Sequence, residues 1–225
     1  MIFVFFIFTF SYDEPTTVTV FHPGDEGSKY YRIPSIVVAA NGSLVIATDK
    51  RIYKADDIPN IVDIVVKTSH DGGLTWGPTK IIASGNPKGY CDSSLVVDKE
   101  TGNLILLFNG NNGFFNSTSS DPIRNYITIS KDNGETWSKP RDITYMLYGD
   151  ECQHYERKTW EAMFLSSGKA LQLRSGRIVV VGVVRKKETT GFFNYIVYSD
   201  DGGQNWDVGI SSGCSDGDEA IMAIY

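Results

Sequence analysis

One octapeptide recurs three times along this chain and constrains its fold more than any other feature. Ser69-His70-Asp71-Gly72-Gly73-Leu74-Thr75-Trp76 returns as Ser130-Lys131-Asp132-Asn133-Gly134-Glu135-Thr136-Trp137, and again as Ser199-Asp200-Asp201-Gly202-Gly203-Gln204-Asn205-Trp206. The shared pattern is S-x-D-x-G-x-T-W, with Asn205 replacing threonine in the third copy. Its chemistry is that of a turn. The aspartate can accept hydrogen bonds from the backbone N–H groups that follow it, the glycine tolerates positive φ, and the tryptophan supplies a large ring to pack. Asp71, Asp132 and Asp201 are therefore read as structural rather than catalytic.

The surroundings of each copy repeat as well. SIVVAA, the turn Asn41-Gly42, SLVIATDKR and IVDIVVKTS precede the first, and TKIIAS follows it. SSLVVD, a turn at Gly102, NLILLFNG and NYITIS precede the second; ALQL, a turn at Gly176, RIVVVGVV and FNYIVYS precede the third. Short β-branched runs bounded by glycine and asparagine read as strands, and Asn-Gly between two of them is a hairpin signal. Each unit is thus a four-stranded antiparallel meander, with the octapeptide joining its third and fourth strands. Helical periodicity is absent apart from a turn or two near Glu151–Met163. Repetition of such units predicts an all-β fold, a partial six-bladed β-propeller with about three blades present. Glu219–Tyr225 reads as the first strand of a fourth blade, so the domain over residues 12–225 is expected to be incomplete at its C-terminal end.

Ahead of the repeats lies the apolar run Ile2–Phe10, too short for a membrane span and suited to a signal-peptide core, with Thr9 and Ser11 before a cut after Ser11. Residues 1–11 are accordingly read as a signal peptide and the protein as secreted, which would make Asn41-Gly42-Ser43 and Asn116-Ser117-Thr118 glycosylation sequons. A net charge of −6, with only the short basic clusters Lys50-Arg51 and Arg185-Lys186-Lys187, argues against nucleic acid as a partner. The three cysteines, at 91, 152 and 214, allow at most one disulfide. The three histidines occur without HExxH or CxxC spacing, so no zinc site is expected.

Upstream of the first unit stands Tyr30-Tyr31-Arg32-Ile33-Pro34-Ser35. Together with the octapeptides, known as Asp boxes or BNR repeats, this R-I-P sequence resembles the sialidase (neuraminidase) family over roughly residues 17 to 225. The resemblance implies an exo-α-sialidase that hydrolyses terminal sialic acids of sialylated glycoproteins, glycolipids or oligosaccharides with retention. It implies no metal or organic cofactor and no membrane span, and it leaves the oligomeric state open. By the same resemblance Arg32 clamps the substrate carboxylate, for which a planar guanidinium is suited. Arg51 lines the pocket, and Asp57 is the acid/base aspartate, about 25 residues past Arg32. Asp56 is the weaker alternative, and Asp63 falls too deep in the following strand. Asp92, in Cys91-Asp92-Ser93-Ser94, stands where the family often carries an aspartate facing the sugar. Leu171 and Gln172, in Gly168-Lys169-Ala170-Leu171-Gln172-Leu173, are weak candidates to line the pocket. Glu219, in Gly217-Asp218-Glu219-Ala220, matches the glutamate that polarises the nucleophile, with Glu151 and Glu161 as weaker alternatives.

Sialidases use a tyrosine nucleophile, because sialic acid carries its own carboxylate beside the anomeric carbon and would repel an anionic attacker. In the family that tyrosine and two further clamp arginines follow the glutamate, and none of the chain's tyrosines has a matching context. The expectation is an incomplete copy of the site, with little activity from these 225 residues alone. A trans-sialidase, or a non-catalytic sialic-acid-binding propeller fragment, is the alternative; retention of Asp57 and Glu219 argues against the latter.

Overall fold

The computed structural model describes residues 17–215, 217, 218 and 220. The signal-peptide reading of residues 1–11, the glutamate Glu219 and the strand expected after it lie outside the described residues.

Three antiparallel sheets follow one another along the chain. The first runs in sequence order through β1 (Tyr30–Val38), β2 (Leu44–Arg51), β3 (Val62–Ser69) and β4 (Lys80–Ala83). The second repeats the plan with β5 (Tyr90–Val97), β6 (Leu104–Asn111), β7 (Ile123–Ser130) and β8 (Arg141–Asp142). Residues 143–159 then make an excursion containing the one-turn helix α1 (Thr144–Leu147) and a 3-10 turn over Arg157–Thr159.

The third sheet departs from expectation at its first strand. That strand is interrupted: β9 (Trp160–Leu165) pairs with one end of β12 (Ile178–Lys186), and β11 (Leu171–Gln172) pairs with the other. Between them β10 (Gly168–Lys169) crosses over and pairs with β5, the parallel exception in an otherwise antiparallel pattern. The Ala170–Leu173 run expected as the whole first strand is thus only its last piece. Trp160–Met163, expected near helical turns, is extended. Met163 is fully buried and packs where Gly182 of β12 has no side chain, since a Cβ there would meet Met163 Cε at 2.3 Å. β13 (Phe193–Ser199) and β14 (Asp207–Ser215) complete the sheet.

The sheets stack through their faces. Along β6, Leu104, Leu106 and Phe108 enter one buried cluster with Val45, Ala47, Ile64 and Val66 of the first sheet. Ile105 and Leu107 enter the other, with Ala162, Met163, Val180 and Val197 of the third. Successive side chains of a strand point to opposite faces, so a strand covered on both sides must be apolar at every position. That is why LILLF lacks alternation.

The Asp boxes fasten the far ends of the stack. In the first, Asp71 Oδ1 accepts from Ser69 Oγ at 2.8 Å and Thr75 N at 2.9 Å, and Oδ2 from Thr75 Oγ1 at 2.6 Å. The second and third boxes repeat this geometry, Asn205 Nδ2 standing in for the threonine hydroxyl at 2.7 Å. Hydrogen bonds from Thr75 and Thr136 pull Asp71 and Asp132 down to about 2. Burial pushes Asp201 the other way, but the bonds from Asn205 and Ser199 leave it lowered.

The second and third boxes also lean on the preceding sheet. A Cβ on Gly134, whose φ is +90°, would lie 2.9 Å from Val45; one on Gly203, at +87°, would lie 2.9 Å from Ile127. These glycines are required twice, by conformation and by contact. Lys80 Nζ of β4 reaches Gly134 O at 3.0 Å, and Arg141 Nη2 of β8 reaches Gly203 O at 2.8 Å, one basic residue per joint.

Two outcomes follow. Ser130→Ala strips a buried hydroxyl from Gly134 N, bonded at 2.8 Å, and should destabilise the protein by about 1–3 kcal/mol, read as a lower urea midpoint at unchanged slope. The carboxylates of Asp71 and Asp132 titrate lower in the folded than in the unfolded chain. Their stabilisation is present above the ordinary carboxylate range and is lost as pH falls toward 2. An acid titration followed by tryptophan fluorescence should show that loss, and Asp132→Asn should flatten it.

Candidate active site

At the end of the sheets opposite the boxes, two β-bulges occur at matching places. In β1 the register slips between Arg32 and Ser35, and in β5 between Cys91 and Ser94. Each slip contains a non-glycine residue in the left-handed region, Ile33 at φ 59° and Asp92 at 63°. Such conformations persist only where neighbours enforce them. Here Ser35 Oγ accepts from Leu95 N at 2.9 Å and donates to Gly168 O, tying β1 of the first sheet to β5 and to the crossover strand β10.

Beyond β2 the chain forms the loop 52–61. Ala55 O accepts from Arg51 Nη1 at 2.5 Å and Arg32 Nη1 at 3.0 Å, while Asn60 Nδ2 donates to Lys54 O and Asp56 O at 3.2 and 2.9 Å. Ile58 is buried, and its carbonyl fits against Gly113 so closely that a Cβ there would come within 2.2 Å. The loop is thereby pinned on both sides, with the Asp57 carboxylate held at the surface, 71% exposed. Asp57 Oδ1 lies 2.8 Å from Arg51 Nη1 and 3.9 Å from Arg32 Nη1.

Asp57 and Asp92 face one cleft of about 390 Å³, with Asp218 on its rim. Asp92 Oδ2 accepts from the Cys91 thiol at 2.9 Å and Asn109 Nδ2 at 3.2 Å. Burial, reinforced by Asp92 and Asp49, pushes the Cys91 thiol up, which keeps it a donor. Much of the remaining lining is aromatic. Phe114 meets Phe164 and Phe192 edge-on with centroids 5.1 Å apart, and Phe115 stands 76% exposed beside them. A cleft lined by both carboxylates and phenyl rings suits a hydroxylated ring that also bears an apolar group.

Arg32, Arg51, Asp57 and Asp92 are therefore brought together. Asp56 belongs to the same loop but does not line the cleft. Asp63 sits in β3, buried, accepting from Gly85 N at 3.1 Å. Leu171 and Gln172 correct the expectation that they line the pocket. They lie along another groove with Val37 and Val96, and the Gln172 amide is spent on Lys99 N at 2.6 Å and Asp98 Oδ1 at 2.8 Å. Among the weaker glutamates, Glu151 contacts Arg124 at 3.5 Å and Glu161 pairs with Arg185. The sequence reading missed these phenylalanines, although the doublet Phe114-Phe115 within a glycine- and asparagine-bearing loop, and Phe192 just ahead of a strand, carried the signal. It also missed Asp49, which is fully buried in β2. Among the described residues no cluster of three or more His, Cys, Asp or Glu could hold a metal ion, and no helix is long and apolar enough to cross a membrane.

Comparison with known proteins gives a consistent answer. Residues 59–217 match the family of the BNR repeat-like domain. The chain is 32% identical over 207 residues to a sialidase of Micromonospora viridifaciens, covering 84% of this chain and 30% of that protein. It is 30% identical over 212 residues to a sialidase of Paraclostridium sordellii, covering 88% and 51%. Among solved structures, Hadza microbial sialidase Hz136 superposes with a TM-score of 0.77 at 27% identity, covering 84% of this chain and 39% of that one. The intramolecular trans-sialidase from Ruminococcus gnavus superposes with a TM-score of 0.73 at 16% identity, covering 90% and 63%, a likeness of fold. The chain spans about half or less of the length of the curated sialidases it matches most strongly.

The packing of the Asp57 loop is directly testable. Gly113→Ala should force residues 52–61 outward at a cost of about 1–3 kcal/mol, as overpacking does. Hydrogen exchange should accelerate at the amides of Ala55–Ile61 while those of β6 and β7 stay protected.

Proposed function

The chain belongs to the sialidase family with BNR repeats, and on that premise we propose that it supplies the acid/base side of an exo-α-sialidase site acting on terminal sialic acids of glycoproteins, glycolipids or oligosaccharides. The observation that carries this reading is the exposed Asp57 carboxylate, 2.8 Å from Arg51 and 3.9 Å from Arg32, at the mouth of the cleft that Asp92 also faces. Arg32 would take the substrate carboxylate through parallel N–H donors. A carboxylate seated there draws that guanidinium away from Asp57 and leaves Asp57 to turn toward the leaving oxygen. Asp57 would then protonate that oxygen and afterwards take a proton from water. Asp92, its Oδ2 held by Cys91 and Asn109, would meet a sugar hydroxyl.

The nucleophile in this scheme is a tyrosine polarised by a glutamate. Glu219 is our candidate for that glutamate, and we nominate no tyrosine; none lines the cleft among the described residues. The proposal extends to the architecture, in which the three sheets are blades of a six-bladed propeller domain comprising residues 12–225 here. It extends also to secretion, which rests on the apolar run Ile2–Phe10.

The test is release of sialic acid from a sialyl-oligosaccharide and from an aryl sialoside with an activated leaving group. Asp57→Ala should slow the oligosaccharide reaction by on the order of 10²–10⁴-fold and the aryl reaction much less, because a good leaving group needs little protonation. Equal rates for variant and parent on both substrates would remove Asp57 from the chemistry. Failure of the parent chain to release sialic acid from either would sink the hydrolase reading for it.

A further inference from the structure

The repeat places Asp49 and Asn109 at the same position of successive sheets. Each is the fully buried residue opposite its own sheet's bulge, paired with Arg32 and Cys91 respectively, and each reaches across to the innermost strand of the next sheet. Asn109 does so as a neutral amide: its Oδ1 accepts from Leu165 N at 2.9 Å and its Nδ2 donates to Leu165 O at 2.9 Å. Asp49 makes the equivalent contact with one oxygen, Oδ1 accepting from Asp92 N at 3.1 Å. Its second oxygen does something Asn109 has no counterpart for, accepting from Arg51 Nη2 at 2.9 Å. Both side chains of that ion pair are completely shielded from solvent.

A buried charge pair is costly to desolvate and gives little net stability over an amide or an apolar contact, so its presence calls for another explanation. We infer that Asp49 is a positioning residue of the cleft, one buried carboxylate that fixes Arg51 for its contact with Asp57 and fixes the Asp92 backbone in its left-handed turn. Arg51 Nη1 is then left facing Ala55 O and Asp57 Oδ1 as a locked fork rather than a swinging arm. Asp57 and Asp92 come from different sheets, and Asp49 is the residue that touches the support of both. An asparagine in its place would keep the acceptor for Asp92 N but give up the charge that holds Arg51. This inference rests on the sialidase reading only where it speaks of turnover.

The experiment follows the guanidinium of Arg51 by NMR in the full chain with isotope-labelled arginine, its signal identified by its loss in Arg51→Gln. In the parent, rotation about the Nε–Cζ bond should be slow; in Asp49→Asn, loss of a charge-assisted bond should speed it by about tenfold. Unchanged rotation in Asp49→Asn overturns the proposal. Asp49→Asn should also lower the thermal midpoint by on the order of 10 °C, since it leaves a buried cation half-compensated. The double variant Asp49→Asn with Arg51→Gln, which removes both charges, should regain most of that loss. If the parent turns over an aryl sialoside, Asp49→Asn should lose on the order of 10²-fold in kcat/KM, mostly in kcat, and the double variant should stay as slow despite its recovered midpoint. Recovery of turnover along with the midpoint would mean that Asp49 acts only on stability, and would overturn the proposal. If the parent does not turn over, the hydrolase reading falls, and the rotation of Arg51 alone decides whether Asp49 positions it.

Discussion

The structure depends on one joint, made twice among the described residues: the glycine of an Asp box pressed against the sheet before it. At Gly134 and Gly203 a positive φ, the absence of a Cβ and a carbonyl aimed at Lys80 or Arg141 coincide. The aspartate of the box makes this feasible by folding its own turn first. Its three side-chain hydrogen bonds are local, so the turn can form with little loop-closure cost before the neighbouring sheet arrives. Each sheet is too narrow to bury both faces of its middle strands alone. The joint sets the stacking that does so, and the Leu104–Phe108 run with one face on each neighbour is the result.

Much of this was legible in the sequence, for identifiable reasons. The box is a local motif whose chemistry is complete within eight residues, so three copies located three sheets without knowledge of their contacts. The strands on either side were readable because β-branched runs between glycine turns have few alternatives. The third sheet's first strand was not readable, because its interruption depends on a contact with a distant partner. Gly168 pairs with Ser94 and accepts from Ser35, and nothing near residue 168 announces either. Gln172 was misassigned for the same reason, since a glutamine in a strand looks alike whether it faces a cleft or caps the Asp98 turn.

The site divides along similar lines. Arg32, Arg51, Asp57 and Asp92 were singled out through motif resemblance, and the bulges explain why residues so far apart in sequence lie near one another. The cleft phenylalanines and Asp49 were not found, because their roles lie between sheets. Asp49 is instructive, as an acidic residue inside an apolar strand normally signals a strand end. Here it marks the place where the first sheet carries a charge beside Arg51 and the second carries a neutral amide.

The cleft is a seam and not a hole in any one sheet: Asp57 follows the first, Asp92 lies in the second, and Phe164 and Phe192 belong to the third. Its boxes sit at the other end of strands such as Val62–Ser69, a span of roughly 25 Å at the usual rise per residue. Each strand is therefore a lever whose fulcrum is the box and whose working tip is the site. A tilt of a few degrees at the glycine moves the tip by an ångström or more, comparable to the tolerance of proton transfer. Side chains of the Asp boxes, at the end of the strands away from the cleft, thus hold its aperture in alignment.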